Sequence, residues 1–195
     1  MSYDYVTLTL KRAPTPHQAL AAHLRGLPYE IVGQFAPQLG WANNEAAVLV
    51  RRREAAPVEA TTLAGPDLIA SAKVERVTPT LRPTDGAGPR PGGIYVHRWF
   101  EVDDGAADEF VDLSGQGWQR FEAQFAANIF GLFRAAPSAA DEEARVVRLL
   151  LLTRYADHGV WEASRDPTSE AMQIFARRAQ LTRRSWAAST LLVGR

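Results

Sequence analysis

Cysteine is absent from this chain of 195 residues, which excludes disulfides, thiolate catalysis, iron–sulfur clusters and thiolate zinc sites, and leaves the redox compartment open. An excess of charge is lacking too. Lys+Arg number 22 against Asp+Glu 22, with only two lysines, Lys11 and Lys73. A balanced chain has no global electrostatic reason to hold nucleic acid or an anionic membrane, so neither is expected as a partner. Nowhere are there enough consecutive apolar residues for a membrane-spanning helix. The opening MSYDYVTLTLKR enters an alternating pattern with no basic or apolar leader, the reading of a cytoplasmic chain. P-loop, dinucleotide-binding and nucleophile-elbow motifs are missing, and no two histidines stand four apart on a helix, so no metal and no cofactor is expected. What is present is ordinary for a globular protein: 46% apolar and 23% charged residues.

The richest breaker segment runs from Pro79 to Gly93, PTLRPTDGAGPRPGG, with four prolines and four glycines. No helix or central strand tolerates it. The chain reads alike on its two sides, which suggests two units, 1–84 and 94–195, joined by a linker at 85–93. DYVTLTLKR (Asp4 to Arg12) and IYVHRWFEV (Ile94 to Val102) align without gaps and alternate as strands. A helix follows each, over 16–27 and over 104–125, the second with a kink expected at Ser114-Gly115-Gln116-Gly117. The next strands share Ile-x-Gly-x-Phe, as Ile31-Val32-Gly33-Gln34-Phe35 and Ile129-Phe130-Gly131-Leu132-Phe133. Third strands cover 46–52 and 145–155, the latter with Leu149 to Leu152 reading as buried on both faces. Second helices are expected over 166–183 and, weakly, over 57–70. Final strands cover 72–82 and 186–193. Each half thus reads β-α-β-β-α-β, the ferredoxin-like order.

On IYVHRWFEVDDGAADEF, ANIFGLFRAA, VRLLLLTRYADHGVWEAS and SWAASTLLV, the second half resembles a NIPSNAP-type domain of the dimeric α+β barrel superfamily; YVTLTLKR and YEIVGQF give the first half a degraded likeness. The resemblance implies an α+β fold in which two ferredoxin-like sheets pair into a barrel with helices outside, both units here lying in one chain. The superfamily hosts cofactor-free monooxygenases, haem-degrading enzymes, haem peroxidases and isomerases, so the fold alone settles no reaction. A homodimer is its candidate assembly.

If Val6, Leu8, Leu10, Ile94, Val96 and Phe100 face the helices, the opposite parity points into the barrel. That face carries Tyr5, Thr7, Thr9 and Lys11 in the first half and Tyr95, His97, Trp99 and Glu101 in the second. Aromatic walls around one imidazole suit a small apolar or aromatic ligand, with Tyr95, Trp99 and Tyr155 as contacts and His97 as the catalytic group. The plainer alternative is a barrel filled by its own aromatics, with His97 hydrogen-bonded inside and the protein acting as a scaffold. Haem binding through His97 or His158 is a third reading. Arg98 interrupts the parity, and a bulge there would reverse it. Asp157-His158-Gly159 reads as a turn. Arg177-Arg178 reads as a solvated pair.

Overall fold

The computed structural model describes residues 2–52, 58, 59, 63, 67–84 and 86–194. Eight strands run through it: β1 (Ser2–Leu10), β2 (Glu30–Leu39), β3 (Glu45–Arg52), β4 (Ile69–Pro79), β5 (Ile94–Asp103), β6 (Ala127–Ala135), β7 (Val146–Tyr155) and β8 (Thr182–Leu192). They close into one antiparallel barrel in the order β1-β3-β2-β8-β5-β7-β6-β4. Each half supplies four strands in the same spatial order, fourth-first-third-second. The seams between halves are short: Phe35–Leu39 with Ser189–Leu192, and Val77–Pro79 with Phe133–Ala135.

Outside lie α1 (Pro16–Arg25), α2 (Ala107–Gln124), α3 (Ala139–Ala144), α4 (His158–Ala163), α5 (Glu170–Ile174) and α6 (Ala176–Gln180). The alternation of each strand sorts its side chains into layers. Val6, Leu8 and Leu10 pack outward with Leu20 and Leu24 of α1. On the other side, Val96, Phe100 and Leu151 meet Phe110, Trp118 and Phe121 of α2. Burying each such side chain is worth about 1.5–3 kcal/mol. The barrel interior holds Tyr3, Tyr5, Phe35, Leu49, Tyr95, Trp99, Phe133, Leu150 and Leu152.

The Ile-x-Gly-x-Phe strands have a steric explanation. A Cβ on Gly33 would stand 2.9 Å from the Phe35 ring, and one on Gly131 would stand 2.7 Å from the Phe133 ring. Residues two apart share a strand face, so each glycine leaves the space its phenylalanine fills. Both motifs also carry a register shift, between Ile31 and Gly33 and between Ile129 and Gly131.

Three local expectations are corrected. α2 runs through Ser114–Gly117 as one helix of 18 residues; its glycines serve packing, since a Cβ on Gly117 would lie 2.2 Å from the Phe175 ring. The helix expected over 166–183 is two short ones, α5 capped by Ser169 and then α6, with Pro167 outside both. Asp157-His158-Gly159 starts a helix, because the Asp157 side chain accepts from Val160 N and caps α4. The weak helix over 57–70 falls largely outside the described residues.

Candidate functional site

β5 alternates without a bulge through Arg98: Tyr95, His97 and Trp99 point into the barrel, while Arg98 joins the helix side. His97 is 1% exposed. The Tyr5 hydroxyl donates to His97 Nδ1 over 2.8 Å. His97 Nε2 lies 3.0 Å from Thr190 Oγ1, and that hydroxyl donates to the Tyr95 carbonyl over 3.2 Å. Thr190 has one proton and spends it on the carbonyl, so His97 Nε2 carries the other proton and Nδ1 is the acceptor. The chain of bonds is complete with a neutral imidazole. Burial agrees, lowering His97 to about 3. Burial, with Glu75 nearby, holds the Tyr5 phenol well above its ordinary range.

One end of the barrel is open. A pocket of about 410 Å³ is lined by Tyr5, Thr7, Thr9, Trp41, Ser71, Lys73, Glu75, His97, Trp99, Arg148 and Trp186, with Ala72 and Ala188. Thr7 and Thr9 of β1 leave this space; large side chains there would fill it. Its walls are aromatic. Trp186 lies nearly parallel to Trp99 (14°, centroids 6.3 Å apart), Tyr5 meets Trp99 edge-on at 5.7 Å, and Trp41 stands 5.2 Å from the His97 ring. Arg148 lies 5.5 Å over Trp99, and its guanidinium is held by Asp141, at 2.9 Å, and by Glu75. At the other end Tyr3, Phe35 and Phe133 fill the interior.

The residues expected at a site separate into three places. His97 and Trp99 line the pocket. Tyr95 is inside the barrel but turned from the opening: its ring meets Phe35 at 5.3 Å, and its hydroxyl donates to the Arg90 carbonyl over 2.7 Å. Burial raises it to about 12. Tyr155 faces the helices, edge-on to Phe121 at 6.2 Å, because it falls on the outward parity of β7; it does not join His97. His158 is also outside, bonded to Ser189 over 2.9 Å. Among the described residues no group of three metal-ligating side chains occurs. The alternation of β1 puts Tyr5 on the inner face without marking it as a site residue, and nothing marks Trp41, Trp186 or Thr190; the alternation Trp186, Ala188, Thr190 in the last strand is the available signal. A further groove of about 740 Å³ lies outside the barrel beside α1, β2 and Pro89, its Arg51 and Glu30 paired.

Comparison with known proteins gives the fold. No protein-family model matches, and no curated protein matches. A candidate monooxygenase from Lactobacillus acidophilus superposes with a TM-score of 0.59 at 9% identity, over 98% of this chain and 93% of the other. An anthrone oxidase-like protein gives 0.58 at 15% identity, over 99% and 92%. A candidate chlorite dismutase gives 0.58 at 7% identity, over 100% and 96%. The fold is that of the ferredoxin-like α+β barrels. Likeness at such identities speaks for architecture, and the reaction has to be argued from the site. No described helix is long and apolar enough to cross a membrane.

Proposed function

We propose that the open end of the barrel binds a planar aromatic compound bearing a hydroxyl group, as the substrate of a cofactor-independent oxygenation or isomerisation. The observation that carries this is the 410 Å³ pocket whose tryptophan walls end on the Tyr5–His97 pair. Tyr5 spends its proton on His97, so its oxygen lone pairs are left to accept from a ligand hydroxyl. His97, neutral and bonded at both nitrogens, acts by fixing Tyr5; as a free base it is weak at neutral pH. Both its nitrogens being engaged also argues against haem ligation there. Burying about 150 Å² of apolar ligand is worth about 4 kcal/mol before ordering costs, which suits weak to moderate affinity. The second half's NIPSNAP-like patterns fit this reading without adding a substrate.

The test is a titration of tryptophan fluorescence with 2-naphthol and with naphthalene. Quenching is expected with both, tighter for 2-naphthol. Trp186→Phe should diminish the signal, and Tyr5→Phe should remove the preference for the hydroxyl compound. No saturable response to either compound, or to anthrone as a wider probe, would leave the scaffold reading standing.

A further inference from the structure

Independently of the barrel pocket, the helix-covered face of the second half carries an unusual excess of donors. Arg98 sits on the outward parity of β5, and Arg178 reaches inward from α6, correcting the expectation of a solvated Arg177-Arg178 pair. Arg178 lies 4.1 Å over the Phe175 ring and 5.3 Å from those of Phe100 and Phe110. Its hydrogen bond is to Ser114 Oγ at 3.2 Å, one acceptor for a group with five N–H donors. Arg98 has no ion-pair partner among the described residues. Burial lowers Arg98, and burial with the neighbouring Arg98 charge lowers Arg178 to about 9.

Between them is a cavity of about 50 Å³, lined also by Arg165, Tyr155, Ser164, Thr153 and the aromatic rings of α2. No carboxylate among the described residues lines it. Among the acids of the surrounding helices, Glu109 pairs with Arg177 at 2.9 Å and Glu170 with Arg120 at 3.0 Å, while Asp112 and Glu162 are exposed and do not line the cavity. Trp118, which also lines the cavity, is 3% exposed and its indole N–H is unpartnered. Arg98 and Arg178 are half-buried beside these rings and Arg165 is exposed; like charges gathered at a partly desolvated site without a counterion repel. The space exceeds the roughly 30 Å³ share of one water and is far below what an aromatic ligand needs.

We infer that this cavity binds one small inorganic anion, of the size of a halide or nitrate, between Arg98, Arg178 and Arg165. The anion neutralises the cluster and ties the short helices α4 to α6 to the sheet.

The experiment is a thermal-shift titration of the whole protein with sodium nitrate and sodium bromide, ionic strength held constant with gluconate, which is too large to enter. Crystals soaked in bromide give the position. Expected are a saturable rise in Tm with both small anions, a binding midpoint weakened at least tenfold in Arg98→Gln, and an anomalous peak among the three arginines. Arg98→Gln removes a poorly solvated charge and should fold at least as well as the parent; Arg165→Gln, at an exposed position, is the second variant and should weaken binding less. A rise that is linear in salt, equal in gluconate, or unchanged in Arg98→Gln overturns the inference, as does a cavity holding water only.

Discussion

β1 and β5 occupy equivalent places in their halves and present the same parity to the barrel, yet one brings Tyr5, Thr7 and Thr9 where the other brings Tyr95, His97 and Trp99. The difference decides which tyrosine meets an imidazole. Tyr5 finds His97 across the interior. Tyr95, with a threonine at the corresponding place in β1, gives its proton to the Arg90 carbonyl instead. The small residues of β1 are as informative as the large ones of β5, since they make the pocket into which the large ones look. A site sought in the second half alone is therefore built by both.

That contrast can be broken at several points. The largest effect is expected from His97→Ala, which leaves the Tyr5 hydroxyl and Thr190 without their shared partner and opens a void: a loss of about 2–4 kcal/mol in chemical denaturation. His97 also predicts an acid dependence with a definite sign. Its folded value of about 3 lies below the ordinary 6.5, so between about pH 6.5 and 3 the unfolded chain takes up a proton that the folded one does not. Stability therefore falls as the pH is lowered through that window and levels off below it. His97→Gln should lack this part of the slope when the two pH profiles are subtracted. Next, Tyr5→Phe should cost about 1–3 kcal/mol, because it leaves His97 Nδ1, on a ring only 1% exposed, without its donor. Tyr95→Phe should cost less, about 0.5–1.5 kcal/mol, its partner being a carbonyl of the linker. Equal losses in the two would mean the tyrosines are equivalent after all. The smallest change in stability, within about 0.5 kcal/mol, is expected from Thr9→Phe at the partly exposed mouth; it should nevertheless abolish 2-naphthol quenching by filling the pocket.

Much of the barrel was legible because it rests on local periodicity. Strand alternation placed Val6, Leu8 and Leu10 against helices, and Ile-x-Gly-x-Phe marked equivalent strands whose glycines make room for rings. The segment from Asp157 to Gln180 was misread, since Pro167 looks like a helix start whereas Ser169 and Asp157 supply the caps that define shorter helices. Tyr155 was placed by its neighbours in sequence, and only the register of β7, with Leu150 and Leu152 inward, fixes it outside. The Tyr5–His97–Thr190 chain joins three strands far apart in sequence. Nothing in any one strand announces it; it follows from barrel closure.

Closure is nevertheless uneven along β4. It pairs with β1 from Ile69 to Val77 but with β6 only over Val77–Pro79, and the Arg76 carbonyl then accepts from Ala136 N over 2.8 Å. Among the described residues, the stretch from Ile69 to Glu75 therefore has one side of its backbone without a strand. Such a row of amides and carbonyls is a template on which another copy could add itself and begin a fibre. Here the row carries Lys73, 71% exposed at its side chain, beside Glu75 at 3.3 Å, and Arg148 reaches from β7, past the end of β6, to grip Glu75. Any incoming strand would have to strip water from those charges. The rim of the pocket thus doubles as a guard against aggregation, and a neutral replacement at the exposed Lys73 would lower solubility before it touched the fold.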